Sequence, residues 1–178
     1  MACLKKLQTE PTLNVKIEAF YIVLNKAEGA YMHWTIYLSG EIHTDWRDRI
    51  IEGCKAADLP VSFSSAVTDH AASDDVGDIL GKEETAFWKD HKSAKINGIR
   101  TKNLIENADI VVVRFGDKYK QWNAAFDAGY AAALGTPYIT LHDDAIIHPL
   151  KEVDAAAMAW AKEPEEVVEI LKYVTTKE

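Results

Sequence analysis

Short apolar runs alternate with amphipathic segments from residue 34 onward. Four runs have the length and the β-branched or aromatic content typical of buried strands, at residues 34–38, 61–64, 109–115 and 138–141. Apolar residues at helical spacing predict helices at residues 44–57, 96–107 and 150–161, one ending at Gly135, and one starting at Pro164. Strands that alternate with helices predict an α/β fold, with a mostly parallel sheet covered by helices on both faces.

The helices carry apolar positions that are expected to face the core. They are Ile50, Ile51 and Cys54 in the first helix, Ile99, Leu104 and Ile105 in the second, and Val167, Val168, Leu171 and Val174 in the last. Thr44 is the expected N-cap of the first helix.

Two segments show no clear element. Residues 1–32 contain an alternating stretch and an apolar run, which predict an extra edge strand or an N-terminal extension beside a single domain at 33–178. Residues 67–93 are polar and irregular, with a short helix near 76–80. Long irregular stretches of this kind often serve as lids or binding loops.

The segment from Phe115 to Leu134 predicts a strand end, a short loop and a helix with two stripes. An apolar stripe is expected to face the core, and it consists of Trp122, Phe126, Gly129 and Ala133. A polar stripe lies beside it and consists of Asn123, Asp127 and Tyr130. Because open α/β sheets bind ligands at the carboxyl ends of their strands, the polar stripe predicts a binding or active site.

Composition narrows the possible partners. The net charge of −8 argues against a nucleic-acid binder, which needs a basic surface. No apolar run approaches the roughly 20 residues that span a bilayer, and the N-terminus lacks a signal-peptide pattern, so no membrane association is expected. Two distant cysteines favour a reduced, cytoplasmic setting.

Asp127 is the first candidate for chemistry. A carboxylate at the sheet edge can act as a nucleophile towards a sugar, and the neighbouring amide of Asn123 can orient a hydroxyl group. The alternative is a solvated helix carboxylate paired with a lysine. The residues alone leave these two interpretations about even.

The loop after the first strand supplies further candidates. Gly40 allows the backbone to approach a ligand closely, while Glu41 and His43 can exchange protons. The alternative is that Gly40 only makes the turn and Glu41 is a loop charge. The expected position at the binding edge slightly favours function, for these residues and for Gly116 after the third strand.

The long polar loop and one arginine complete the candidates. His70, Ser73 and Asp74 can contact a ligand, or Ser73 and Asp74 can cap the short helix. Arg100 can bind a phosphate or carboxylate, although a surface salt bridge is the commoner arrangement.

No motif indicates a metal or a cofactor. The scattered His43, His70, His91, His142 and His148 lack HxH or HExxH spacing, so a metal-assisted hydrolase is a minority hypothesis. GxGxxG and GxxxxGK[ST] are also missing from the sequence, which argues against the usual dinucleotide and P-loop sites.

Several of these motifs together resemble the YtoQ family. The resemblance spans residues 34–153 and rests on Tyr37–His43 with Trp46 and Arg47, Asp69–His70 with Ser73 and Asp74, Phe115–Asn123 with Asp127, and His148–Glu152. The YtoQ family is in turn similar to nucleoside 2-deoxyribosyltransferases and related N-glycosidases. This similarity implies a flavodoxin-like, Rossmann-like sheet.

The resemblance also implies roles for particular residues. Those enzymes split or exchange the base–sugar bond through a glutamate just before a Gly-aromatic pair, and here Asp127 stands at that position. Tyr37 corresponds to the strand-one tyrosine and Gly40 to the close-approach glycine. Asp127 is one methylene shorter than glutamate, and the family's acid–base aspartate falls near Lys95 or Thr101, neither of which replaces it.

These features lead to two main hypotheses. The first is a nucleoside or nucleotide N-(deoxy)ribosyltransferase or N-glycosidase, with Asp127 attacking, with Glu41, His43 or Asp74 handling the proton, and without a cofactor. The second is a module that binds a nucleotide or sugar phosphate without turnover. By analogy with the related enzymes, a homodimer or larger homo-oligomer is expected.

Overall fold

One parallel sheet organises the described part of the chain. The computed structural model describes residues 32–116 and 122–176. The strands are β1 (Trp34–Gly40), β2 (Val61–Ser65), β3 (Ile110–Arg114), β4 (Tyr138–Leu141) and β5 (Ala159–Ala161). All pairs are parallel, and the strand order is β2-β1-β3-β4-β5. This is the flavodoxin-like order, so the predicted α/β fold is confirmed, and the order of the strands switches between β1 and β3.

Helices cover both faces of the sheet. The α-helices in the described ranges are α1 (Trp46–Ala56), α2 (His70–Asp75), α3 (Ala86–Glu106), α4 (Trp122–Leu134), α5 (Ile147–Ala156) and α6 (Pro164–Thr175). Short 3₁₀ turns follow α2 at Val76–Leu80 and precede α5 at Asp144–Ile146. No helix in the described ranges is long and apolar enough to cross a bilayer.

Alternating side chains of the strands form two cores. On one face, Ile36, Val112 and Leu141 pack with residues of α1 and α6. On the other face, Tyr37 and Val113 pack with residues of α3, α4 and α5. Each fully buried aliphatic side chain contributes about 1.5–3 kcal/mol, so both faces of the central strands stabilise the fold.

The face of α4 that enters the core differs from the prediction. Trp122 and Phe126 are 73% and 75% exposed, so the predicted apolar stripe is wrong. The buried residues are instead Ala124, Asp127, Ala128 and Ala131. Apolar residues occur on both sides of this helix, so periodicity alone could not identify the side that faces the sheet.

Other boundaries also differ from their predictions. The helix predicted at 96–107 begins ten residues earlier, at Ala86. The sequence did not indicate this first half, because it carries no stripe of buried apolar residues. The helix predicted at 150–161 ends at Ala156 and is followed by the short strand β5. Helix α1 begins at Trp46, without a side-chain cap. Three residues expected in the core are exposed, namely Ile51, Ile99 and Val174.

The N-terminal prediction stays open. Residues 1–31, with the predicted edge strand or extension, lie outside the described residues. A compact unit begins at Trp34. The division into an N-terminal segment at 1–32 and a single domain at 33–178 therefore stays a prediction.

A close approach of two strands explains Gly40. Its φ is +102°, and a Cβ atom at this position would lie 2.0 Å from the Arg114 carbonyl oxygen. The next amide, of Glu41, donates to that same oxygen at 3.1 Å. The ends of β1 and β3 can therefore lie side by side only when residue 40 lacks a side chain.

We expect Gly40→Ala to destabilise the fold more than Gly135→Ala does. Gly135 also has a positive φ, of +74°, but a Cβ atom there meets nothing within 4 Å. Gly135→Ala should cost only the conformational penalty of roughly 1–2 kcal/mol, whereas Gly40→Ala adds a clash with backbone. Urea unfolding of both variants measures the difference, and equal losses would contradict the steric explanation.

Candidate functional site

A cleft of about 890 Å³ lies at the carboxyl edge of the sheet. Its walls come from the loop after β1, from α2, from α3 and from α4. The residues that line it and carry polar side chains are Glu41, His43, Ser73, Asp74, Asp90, Ser93, Asn97, Arg100, Thr101, Lys102, Asn123, Asp127 and Tyr130, with Trp122 adding its indole. This is the edge where the strand order reverses, so the site lies where the sequence predicts it.

Asp127 is a buried carboxylate inside this cleft. It is 8% exposed, and its Oδ2 accepts a hydrogen bond from the Ser39 Oγ at 2.6 Å. Burial raises the pKa of the Asp127 carboxyl above the ordinary 3.8, and the hydrogen bond from Ser39 offsets part of that rise. The interpretation of Asp127 as a solvated surface carboxylate is therefore wrong, because a solvated group would not be covered in this way.

Tyr37 lies beneath the same carboxylate. Burial, followed by the nearby charge of Asp127, raises the pKa of Tyr37 to about 12. Its hydroxyl has no hydrogen-bond partner of ordinary geometry among the described residues, although Thr101 is near enough to favour the ionised form. Tyr37 therefore stays a neutral phenol, and its hydroxyl group is available next to Asp127.

Glu41 has a different environment from Asp127. Its carboxylate accepts hydrogen bonds from the backbone amide of His43 and, at 3.2 and 2.6 Å, from the amide and hydroxyl of Thr44. Burial alone would raise the pKa of Glu41, but these hydrogen bonds outweigh it and hold the pKa below its usual range. Glu41 is therefore ionised at neutral pH and organises the loop that leads into α1.

Arg47 stabilises the same loop from the opposite side of its backbone. Its guanidinium donates to the carbonyl groups of Gly40 at 3.0 Å and of Glu41, and the Trp46 indole also donates to the Glu41 carbonyl at 2.7 Å. Burial lowers the pKa of Arg47 to about 10, so it remains a cation at neutral pH. A buried cation that binds the last carbonyl groups of β1 keeps the cleft edge rigid.

Helix α2 is tied to α3 through Ser73. The amide of Asn97 donates to the backbone carbonyl and the hydroxyl of Ser73, at 3.0 and 3.1 Å. The cap of α2 is Asp69, which accepts from the Ala72 amide, while Asp75 occupies the N-cap of the following 3₁₀ turn and the Ser93 hydroxyl accepts from the Gly77 amide in that turn. The alternative that Ser73 and Asp74 cap the short helix at 76–80 is therefore wrong.

The remaining candidates differ in how they relate to the cleft. Arg100 lines it and donates to the Ser65 carbonyl at 3.4 Å, and no ion pair of Arg100 occurs among the described residues. The Tyr130 hydroxyl donates to Glu106 at 2.7 Å and joins α4 to α3. Gly116 packs on the side chain of Glu41, where a Cβ atom would lie 2.5 Å from its Cγ.

The structure brings most of the predicted site residues together. Seven of them line the cleft, namely Gly40, Glu41, His43, Asp74, Asn123, Asp127 and Tyr130. Tyr37 is buried and Gly116 packs on Glu41, but neither lines the cleft, and the side chain of His70, at the start of α2, lies outside the described residues. Their roles in binding or catalysis stay predictions.

Sequence reasoning missed Ser39, the direct partner of Asp127. Ser39 lies two residues after Tyr37 in β1, so the period of a strand places both side chains on the same face. That alternation was the available signal. Within residues 32–116 and 122–176, no group of three or more His, Cys, Asp or Glu side chains could hold a metal ion.

Comparison with known proteins identifies the family. Residues 37–175 match the family described as "Nucleoside 2-deoxyribosyltransferase YtoQ". The chain belongs to this family. It is also 40% identical over 144 residues to "Uncharacterized protein YtoQ" from Bacillus subtilis (strain 168), a match that covers 80% of this chain and 97% of that protein.

Two solved structures are similar to this protein. A conserved protein from Enterococcus faecalis V583 aligns with a TM-score of 0.56 at 14% identity, over 80% of this chain and 99% of that one. This likeness supports the fold. A 2-deoxyribosyltransferase from Bacillus psychrosaccharolyticus aligns with a TM-score of 0.43 at 18% identity, over 75% and 90% of the two chains, and adds nothing to the fold assignment.

Removing the Ser39 hydroxyl should shift the titration of Asp127. Because this hydrogen bond favours the carboxylate, Ser39→Ala should raise the pKa of Asp127 further. Carbon NMR of the labelled aspartate carboxyl measures the shift. Thr140→Val is the matched control, since the buried Thr140 hydroxyl has no hydrogen-bond partner among the described residues. An unchanged Asp127 titration in Ser39→Ala would contradict the assigned contact.

Asp127 should also make stability depend on pH. The folded protein holds the Asp127 proton to a higher pH than the unfolded chain does, so this group's contribution to stability falls as pH rises from about its ordinary 3.8 through its raised folded-state value. Asp127→Asn keeps an acceptor for Ser39 and removes this loss. Its unfolding temperature should therefore exceed that of the wild type near neutral pH and converge with it in acid. Equal unfolding temperatures of Asp127→Asn and the wild type near neutral pH would contradict this assignment.

Proposed function

We propose that this protein acts on the base–sugar bond of a nucleoside or nucleotide, with Asp127 as the group that takes the sugar. The observation that carries the proposal is the buried carboxylate of Asp127, which lines the cleft and is oriented by Ser39. Membership in a family described by nucleoside 2-deoxyribosyltransferase activity supports this chemistry. Oriented carboxylates are the usual nucleophiles at anomeric carbons.

The reaction proceeds in two balanced steps. The Asp127 carboxylate forms a bond to C1′, while the C1′–N bond breaks and its electron pair leaves with the base, which takes up a proton. Water or a second base then attacks C1′, loses a proton and releases the carboxylate. Water as acceptor gives hydrolysis, and a second base gives transfer.

The structure reduces the number of residues that are candidates to protonate the leaving base. Glu41 has a lowered pKa and three hydrogen-bond donors on its carboxylate, so it is a poor proton donor at neutral pH. His43 and Asp74 line the same cleft, and His43 is the one histidine among its described side chains. We therefore assign proton transfer to His43 or Asp74, and a loop-positioning role to Glu41.

Tyr37 and Asn123 position the reacting groups in this proposal. The Tyr37 hydroxyl lies close enough to Asp127 for the carboxylate charge to raise its pKa, and it needs a hydrogen-bond acceptor. Because this hydroxyl is buried and does not line the cleft, Tyr37 acts on the sugar only indirectly, through the position of the Asp127 carboxylate. Asn123 lies one turn before Asp127 on α4 and lines the cleft, so its amide can hold a sugar hydroxyl.

Asp127→Ala should abolish base release. Incubation with a panel of deoxynucleosides and deoxynucleoside monophosphates, with the free base measured by chromatography, tests the wild type and the variant. Loss of the nucleophile should reduce the rate by on the order of 10⁴-fold. Glu152→Gln removes an exposed carboxylate outside the cleft lining and should stay within a few-fold of the wild type. No base release or exchange by the wild type, or equal rates with Asp127→Ala, would overturn the proposal.

A binding module without turnover is the second candidate. The hydrogen bonds to the Glu41 carboxylate favour this second function, because they leave that carboxylate unable to take part in proton transfer. This function predicts that nucleotides or sugar phosphates raise the unfolding temperature without forming product. Product formation that depends on Asp127 excludes it, and so does the lack of any thermal shift.

A further inference from the structure

Two aromatic side chains form an exposed wall beside Asp127. Trp122 and Phe126 lie one turn apart on α4, are 73% and 75% exposed, and both line the cleft. Because both line the same cleft as Asp127, they offer a ligand in that cleft flat apolar surface. We call this pair the aromatic wall.

Small residues of α3 line the same cleft. Ala94 and Gly98 are one turn apart on that helix. A Cβ atom on Gly98 would meet nothing within 4 Å, so open space lies against this part of α3. A wide side chain here would fill space that the sequence leaves empty.

The register of α3 and α4 places Trp122 and Gly98 at the same height along the two helix axes. Helices α3 and α4 flank β3 in a parallel sheet and therefore run in the same direction, and the Tyr130–Glu106 hydrogen bond joins them. Trp122 lies eight residues before Tyr130, and Gly98 lies eight residues before Glu106. Eight residues span about 12 Å along a helix axis. Trp122 and Gly98 are thus level with each other, and we call the part of the cleft that they line the slot.

The two ends of the cleft differ in chemistry. Next to the loop after β1, the cleft is lined by Glu41, His43 and Asp74, which suit hydroxyl groups. Along α4, the lining includes the flat rings of the aromatic wall together with the polar Asn123 and Asp127. Asp127 lines the same cleft as the aromatic wall and the polar side chains.

We propose that the aromatic wall binds the nucleobase by stacking, with the base in the slot against Ala94 and Gly98 and the sugar towards the polar end. This inference rests on the proposed function, since it takes Asp127 as the point where sugar and base are joined. Stacking recognises the plane of a ring and not its edge, and each stacked base contributes about 1–3 kcal/mol. The slot should therefore accept purines and pyrimidines, and bind purines more tightly because they cover more of the wall.

Binding of free adenine to the full chain, measured by calorimetry, tests this directly without turnover. Trp122→Ala and Phe126→Ala should each weaken binding by about 5- to 150-fold, the conversion of 1–3 kcal/mol. Trp122→Phe should recover most of the loss because it keeps a ring. The controls are Phe87→Ala and Trp88→Ala, which remove exposed aromatic side chains of α3 outside the cleft lining.

Filling the slot gives a second, independent measurement. Gly98→Leu places a side chain in open space, so the fold should be retained while adenine binding is lost. Asp127→Asn should bind adenine like the wild type, because the base does not need the nucleophile. Failure of the glycosyl chemistry is thus distinguished from failure of this inference.

Two results would overturn the inference. The first is unchanged adenine affinity in both Trp122→Ala and Phe126→Ala. The second is a change in the oligomeric state of these variants, seen by light scattering, with adenine binding intact. In that case the aromatic wall would be an interface between copies of this chain.

Discussion

The close packing of α4 on the sheet determines the positions of the groups that matter in the cleft. Three alanines, Ala124, Ala128 and Ala131, face the strands, so the helix backbone approaches them closely. This distance allows the Asp127 carboxylate to reach the Ser39 hydroxyl on β1. Larger side chains on this face would push the helix outward, and overpacking of a buried surface typically costs about 1–3 kcal/mol. The same geometry turns the aromatic side chains of α4 away from the core.

Two buried carboxylates at one sheet edge have opposite electrostatic environments. The carboxylate of Asp127 has one hydrogen-bond donor and is otherwise surrounded by protein, so burial dominates and its pKa is raised. Glu41 lies only a short way along the same edge, but its donors outnumber those of Asp127 and its pKa is lowered. Pairs of acids that differ in this way often divide their tasks. Here the difference separates the group proposed to react from the one that organises the loop.

Contacts to the backbone hold the loop after β1 in place. Arg47 donates to backbone carbonyl groups, and Glu41 accepts from backbone amides. Gly40 allows the ends of β1 and β3 to lie side by side. The polar end of the cleft is therefore built on main-chain contacts that do not depend on a ligand. The aromatic wall adds flat apolar surface to the same cleft.

Much of this arrangement follows from the sequence alone. The apolar runs and the turn residues between them determine the parallel α/β fold, because strands and helices have different periods. The family motifs identify the loop after β1 and the segment around Asp127 as the site. Tertiary structure decided which side of α4 faces the sheet, that Ser39 is the partner of Asp127, and that the carboxylate of Glu41 is held by the loop. The first two features depend on contacts between residues far apart in the chain, which hydrophobic periodicity does not specify. The third depends on the geometry of a short loop, in which Glu41 accepts from residues only two and three positions away.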